Sequence, residues 1–321
     1  MMTCLITGAS GFFGKALIEV LAQTKEERQF ICLYNSNKWD ICDPRFIWVQ
    51  ADLLDILCHQ GLMEKYKPTH CIHLAWHVPP QNFWHAQENL EWLQASIYLF
   101  KAFCESGGRV FLGAGTLTEY DWSTGVLEEG KTPLLPNSLY GQCKKSLYEI
   151  LKIIRASQYK DTVLIWSRIG YFFSVDEPSQ KLISRLINSL ITGAPLKLVD
   201  KNTKRPFAHV KYLGGFLANI LLKQREDLVF NLSTTKTYAL EEVVDFISSK
   251  LNTVPRNIAY GAYISPAREP LSIEIKTDIL KGIFGNNIPD TFFDDLAEMI
   301  DIKLGRLPVL EGNKQKYTGV A

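Results

Sequence analysis

The sequence predicts an α/β fold: a Rossmann-type, doubly wound parallel sheet followed by a smaller α/β C-terminal lobe. Three observations predict it. Short apolar runs alternate with longer amphipathic segments through residue 170, the order expected of parallel strands joined by crossover helices. The candidate strands are apolar along their length, which suits a sheet covered on both faces. A glycine-rich turn, Gly8–Gly14, stands between the first strand and the first helix, where such folds bind phosphates.

Taken in order, Thr3–Thr7 reads as a strand and Lys15–Gln23 as a helix. Gln29–Tyr34 and Phe46–Gln50 are the second and third strands. Leu62–Tyr66 fits a helix and His70–Ala75 a fourth strand. Asn89–Ser106 is a long helix with Leu90, Leu93, Ile97, Phe100 and Phe103 or Cys104 on one face. Arg109–Leu112 is a fifth strand, Tyr140–Arg155 a long helix and Thr162–Ile169 a sixth strand. Beyond residue 170 the pattern loosens. Lys181–Thr192 is an amphipathic helix, Arg205–His209 is extended and Val229–Ser233 resembles a strand. Ala239–Leu251 is a helix opened by Thr237, and Asp278–Ile283 and Asp290–Ile300 are short helices. The expected division is a dinucleotide-binding domain over 1–170, which also receives part of 207–235, and a mainly substrate-binding lobe over 171–321.

Composition narrows the function classes. At roughly 100–200 residues per domain, 321 residues suit two domains, or one large domain with a lobe. Apolar residues make up 46% and charged residues 21%, as in a globular enzyme. A formal net charge of +1 gives no global field for nucleic acid or an acidic membrane surface. No stretch approaches the roughly 20 apolar residues of a membrane span. The first residues read as a buried strand rather than a signal peptide. Seven cysteines without a CxxC pair argue against a disulfide framework or zinc site. Most read as buried apolar residues, which suits a reducing, cytoplasmic compartment. No metal site is expected.

The chemistry starts at the glycine turn. One glycine allows the tight turn, another lets backbone approach a pyrophosphate, and the third lets helix and strand pack closely. The helix N-terminus then directs N–H groups at the phosphates. The spacing is GxxGxxG, and Thr7-Gly8-Ala9-Ser10-Gly11-Phe12-Phe13-Gly14 resembles the TGxxGFxG signature of extended short-chain dehydrogenases/reductases. A second signal is Tyr140-Gly141-Gln142-Cys143-Lys144, in which tyrosine and lysine share one helix face at i and i+4. Such a lysine can lower the phenol's pKa and hold a nicotinamide ribose, and the phenol can exchange a proton with a carbinol oxygen. The segment Phe111–Tyr120 is similar to the family segment with a hydroxyl four residues before a tyrosine, and that register selects Thr116. The resemblance spans nearly the whole chain and includes His73-Leu74-Ala75-Trp76.

What the resemblance implies is nicotinamide-dependent chemistry on a sugar nucleotide. The cofactor set would be Gly8, Ser10, Gly11, Phe12, Phe13, Gly14, Asn35, Ser36, Lys38, Asp52, Leu53, Leu74, Ala75, Trp76, Tyr140 and Lys144. The second strand ends without an acid for the ribose 2′-OH. Asn35, Ser36 and Lys38 stand there instead, which favours NADP over NAD. Asp52 matches the family's adenine-contacting aspartate, with a helix cap as its other reading.

The catalytic set is Thr116, Tyr140 and Lys144. Related 4,6-dehydratases carry an acid two positions before the segment's tyrosine, where this chain has Thr118, with Leu117 before it. Glu119 is one residue out of register, and such a shift reverses side-chain direction. Reduction of a 4-keto sugar nucleotide by NADPH is the leading expectation. An NAD-dependent 4-epimerase, a reductase of non-nucleotide carbonyls and a non-catalytic NADP sensor or scaffold stay open.

Substrate contacts implied by the resemblance are Arg205, in an RxFxHV-like segment, and Arg268, both for a diphosphate. Lys181 and Arg185 would face the nucleotide, while His77 and Thr118 would face the sugar. Trp84, His85, Glu119, Tyr120, Asp121 and Trp122 are further candidates for the sugar pocket. Arg168 is read as a tie between loops. A homodimer is implied, paired through the two long helices.

Overall fold

A computed structural model describes residues 2–25, 27–39, 41–80, 82–263, 269–285 and 290–307. The chain divides into two compact units. The first comprises Met1–Glu119, Leu134–Ile169 and Lys211–Phe230; the second comprises Tyr120–Pro133, Gly170–Val210 and Asn231–Ala321.

A seven-stranded sheet dominates the first unit. Its strands are β1 (Met2–Thr7), β2 (Arg28–Tyr34), β3 (Phe46–Gln50), β4 (His70–His73), β5 (Val110–Thr116), β6 (Val163–Ile169) and β7 (Leu228–Leu232). They lie in the order β7-β6-β5-β4-β1-β2-β3. Pairing is parallel from β3 through β6. After β3 the chain returns to the other side of β1, so the strand order reverses between β1 and β4. Their register sets Thr7 beside His73, and Gly8 and Leu74 therefore open adjacent loops at the carboxyl edge. Ligands of such sheets bind at this switch point.

The helices of this unit are α1 (Phe12–Ala22), α2 (Leu57–Tyr66), α3 (Glu88–Glu105), α4 (Leu139–Gln158) and α6 (Val210–Lys223). The core holds Leu5, Ile31, Leu99, Phe100, Phe111, Leu147 and Trp166. The second unit carries α5 (Leu182–Thr192), α7 (Leu240–Leu251), α8 (Asp278–Phe284) and α9 (Phe292–Lys303). There Leu186, Val243, Val244 and Leu296 pack with a ring stack in which Tyr238 and Phe292 lie 4.3 Å apart.

Several local expectations are corrected. The apolar face expected of the long helix holds for Leu93, Ile97, Phe100, Phe103 and Cys104, which lie in or against the core; Leu90 is exposed, and Ala95, Ser96 and Leu99 are buried beside them. Thr237 does not open α7. Ala239 is the N-cap, and the Glu242 carboxylate accepts its N–H at 2.7 Å. The fifth strand does not stop at Leu112 but runs to Thr116, because Gly113 and Gly115 let it pass closely over Trp166. Of the cysteines, Cys42 is exposed and Cys58 half-buried; the other five are buried.

Candidate active site

The glycine turn has the shape its sequence requires. Gly8 sits at φ +68°, in the left-handed region that favours glycine. A Cβ on Gly8 would lie 2.8 Å from the Ala75 nitrogen. A Cβ on Gly14 would overlap the Gly8 carbonyl and lie 2.7 Å from the Ala9 carbonyl. Gly11 N–H donates to the Gly8 carbonyl at 3.1 Å and closes the turn. Gly11 is the N-cap of α1 with no side-chain cap, and no acid stands in the first turn. This turn, too tight for a Cβ at Gly8 or Gly14 and opening a helix N-terminus, fits a dinucleotide's pyrophosphate. Ser10 belongs to the same turn, and Phe12 and Phe13 open α1 directly after it.

Buried hydrogen bonds pin the facing loop. The Ser96 hydroxyl donates to the Trp92 carbonyl at 2.6 Å, so its oxygen accepts from Nε2–H of His73 at 2.8 Å. Nδ1 of His73 then accepts from the Thr7 hydroxyl at 2.8 Å, and Thr7 Oγ1 accepts the Ala75 N–H at 3.1 Å. Leu74 N–H donates to the Thr7 carbonyl at 3.3 Å. Leu74 and Ala75 are thus held against the glycine turn. Burial, with the charge of Lys144 secondary, pushes His73 down to about 3.

At the end of β2, Asn35, Ser36 and Lys38 are exposed. The Asn35 carbonyl accepts from Gln50 Nε2 at 2.9 Å. Asp52 caps a local turn by accepting Leu54 N–H at 3.0 Å, while the N-cap of α2 is Ile56. The helix-cap reading of Asp52 is therefore corrected to a turn cap. Leu53 is buried, and its carbonyl bonds the His59 ring at 2.9 Å.

Tyr140 and Lys144 lie in the first two turns of α4, which Ser138 caps by accepting Gly141 N–H at 3.1 Å. A Cβ on Gly141 would overlap the Thr118 carbonyl, so glycine there lets α4 approach the 116–118 turn. The Thr116 side chain acts on the Tyr140 phenol and favours its ionised form. The Thr118 hydroxyl donates to Thr116 Oγ1 at 3.2 Å. Lys144, 2% exposed, donates to the Ala114 carbonyl at 2.7 Å and lies 3.8 Å from the Trp76 ring centroid. Burial lowers Lys144 to about 7 and pushes the Tyr140 phenol up, while the Thr116 side chain pulls the phenol back.

Phe83, Trp84 and Trp76 stand edge-on to Tyr140 at 5.1, 6.2 and 6.4 Å. Asn89, fully buried, fixes this wall: it accepts from Trp76 Nε1 at 2.8 Å and donates to the Phe83 and Ala86 carbonyls. Trp76 therefore contributes its ring as well as its backbone. The set brings together a neutral phenol, a hydroxyl and an amine that titrates near neutrality, which is the equipment of acid–base catalysis at a carbinol.

Other expected residues go elsewhere. Glu119, Tyr120 and Trp122 are buried, at 0%, 2% and 7% exposure, and are corrected from pocket lining to internal structure. Asp121 caps a 3-10 turn through Ser123 N–H at 2.9 Å. Arg168, expected to tie loops together, pairs with the buried Glu119 of the turn after β5 at 2.8 Å. His77 is half-buried and His85 exposed.

In the second unit Arg205 is 3% exposed. It donates to Glu269 at 3.1 Å and to the Lys204 carbonyl at 2.8 Å, while the Tyr171 hydroxyl donates to the same carboxylate at 2.8 Å. Lys181 stands at the N-cap position of α5 without a side-chain cap, donates to the Phe172 carbonyl at 3.0 Å and is lowered by burial to about 8. Arg185 is half-buried on α5. Arg268 lies outside the described residues. Sequence reasoning missed Asn89, Trp166, Tyr171 and Glu269. The alternate glycines 113 and 115 were a signal for a large neighbour such as Trp166; the other three had none.

Comparison with known proteins decides the family. The family model for NAD dependent epimerases/dehydratases matches residues 4–249. The chain belongs to that family. Its members are nicotinamide-dependent enzymes of the extended short-chain dehydrogenase/reductase type, and this chain is an enzyme of that type. It is 24% identical over 268 residues to the dTDP-4-dehydro-6-deoxyglucose reductase of Escherichia coli, covering 77% of this chain and 81% of the relative. The fold matches MoeE5 in complex with UDP-glucuronic acid and NAD, at TM-score 0.82 and 21% identity, over 95% of this chain and 100% of that one. It also matches the Bacillus anthracis dTDP-glucose 4,6-dehydratase with NAD, at TM-score 0.80 and 20% identity, over 95% and 97%. Among the described residues no helix is long and apolar enough to cross a membrane.

Proposed function

We propose that this family member reduces a 4-keto sugar nucleotide with NADPH. The observation that carries the reading is the composition of the turn after β5. Thr116 stands in this turn and acts on the Tyr140 phenol, yet no carboxylate stands at 117 or 118, and Glu119 is buried against Trp166 and Arg168. The turn lacks an acid positioned for elimination of water, which disfavours a dehydratase. The similarity to a 4-keto sugar-nucleotide reductase agrees with this.

Asn35, Ser36 and Lys38, with no acid among the described residues directly after β2, favour a 2′-phosphate and hence NADP. When bound at the glycine turn, the nicotinamide supplies the hydride. Tyr140 donates its proton to the oxygen of the keto group as that oxygen gains negative charge. Thr116 holds a hydrogen bond on the same oxygen. Lys144, partly protonated near neutral pH, restores the proton of Tyr140 and steadies its phenolate. Arg205, with Arg268, is proposed to meet the diphosphate, Arg205 exchanging Glu269 for phosphate oxygens. Lys181, Arg185, His77 and Thr118 remain proposed substrate contacts.

A 4-epimerase is the second reading, because the same triad serves hydride transfer in both directions. The decisive experiment incubates purified protein with NADPH and a panel of 4-keto-6-deoxy sugar nucleotides and follows the nicotinamide absorbance. Stoichiometric loss of absorbance is expected. Interconversion of two unmodified sugar nucleotides without net loss would replace the reductase by the epimerase. Tight NADPH binding without turnover of any sugar nucleotide would support the non-catalytic sensor.

A further inference from the structure

Glu119 is fully buried and has no part in the mechanism above. Its Oε1 accepts the Thr116 backbone N–H at 2.8 Å and Trp166 Nε1 at 3.0 Å. Its Oε2 accepts Arg168 Nε at 2.8 Å and also lies 3.2 Å from Trp166 Nε1. Arg168 is 4% exposed. Desolvating two ions offsets their attraction, and apolar residues of similar volume often give equal or greater stability. Stability alone does not explain the pair.

The strand is shaped to admit it. A Cβ on Gly115 would lie 2.5 Å from Glu119 Oε1 and overlap Trp166 Nε1; one on Gly113 would overlap the same indole. Two glycines, an indole and a guanidinium thus hold one carboxylate directly on the backbone of Thr116.

We propose that Glu119 is a positioning residue: locked by Trp166 and Arg168, it holds the Thr116 backbone and so fixes the Thr116 hydroxyl for the site. Its catalytic consequence rests on the oxidoreductase reading; its effect on Thr116 does not. The charged or titratable groups acting on this centre are Cys143, Tyr140 and Tyr148 of α4, His73 of β4 and Arg168 of β6. Glu119 opposes the lowering of Lys144 by burial.

Glu119→Gln keeps an acceptor for the Thr116 N–H but removes the charge; Glu119→Leu removes both. Two readouts apply to the full-length protein: amide hydrogen exchange at Thr116, and kcat and KM for the NADPH-dependent reduction. In Glu119→Gln the Thr116 amide stays protected. In Glu119→Leu the Thr116 amide exchanges faster, and kcat drops about 10²-fold with KM little changed, the cost of misplacing a catalytic group. If Glu119→Leu fails to fold because Arg168 is stranded, the double variant Glu119→Leu/Arg168→Met carries the same expectation.

Wild-type Thr116 exchange or kcat in a folded leucine variant overturns the proposal. A wild-type protein that turns over no sugar nucleotide sinks the reductase reading alone, and the exchange result still decides the role of Glu119.

Discussion

At the residue scale, His73 shows how a core side chain can serve a site it never touches. It is neutral, and both ring nitrogens are engaged, one by Thr7 and one by Ser96. Through Thr7 it holds Ala75 beside Gly8. Its folded pKa, about 3, lies far below the usual value of 6.5, and that of His70 is lowered to about 4. Between those values the unfolded chain binds protons that the folded chain does not, so stability rises with pH. Stability is therefore expected to fall as pH drops from about 6.5 towards 4. Urea denaturation across that range checks this, and His73→Gln should flatten the slope; an equal slope in the variant would refute the assignment. None of this was legible in the sequence, where His73 is one apolar-flanked histidine. Gly8 and Gly14 were legible, because a turn that excludes Cβ atoms leaves glycine as its mark.

At the element scale, the parallel strands and the long helices were readable from apolar runs and 3.6-residue periodicity. The active face of α4 was readable from Tyr140 and Lys144 at i and i+4. The buried face of α3 was readable only in part: Leu93, Ile97 and Phe100 do pack on the core, but Leu90 is exposed, and Ala95, Ser96 and Leu99 add to the buried face. The end of β5 was hidden for another reason: Gly113 and Gly115 look like a turn, whereas they are strand residues that make room for Trp166. The cap of α4 bears on the site, because Ser138 fixes the first turn that carries Tyr140. Ser138→Ala should cost about 1 kcal/mol of stability, the usual worth of an N-cap. Chemical denaturation measures it, and no loss would mean that the Trp84 carbonyl bond to Tyr140 N–H, at 3.0 Å, holds the turn alone.

At the scale of the whole molecule, family membership and the Rossmann-type sheet follow from the sequence, while the reaction depends on a few side chains in the 116–119 turn. The substrate residues were the least legible. A lone arginine such as Arg205 reads the same whether it awaits a phosphate or, as here, is held by Glu269 and Tyr171. We propose a homodimer paired through α3 and α4, which leave Leu90, Tyr98 and Ile153 exposed. Light scattering at micromolar concentration should give twice the 36.5 kDa chain mass; a monomer would contradict it.

The account depends most on the Tyr140 phenol delivering the proton. The direct test compares Tyr140→Phe with the wild type in NADPH binding and in turnover of a 4-keto sugar nucleotide. Binding should be retained while turnover falls by about 10²- to 10⁴-fold, the usual worth of a general acid. Wild-type turnover in the phenylalanine variant would contradict the mechanism.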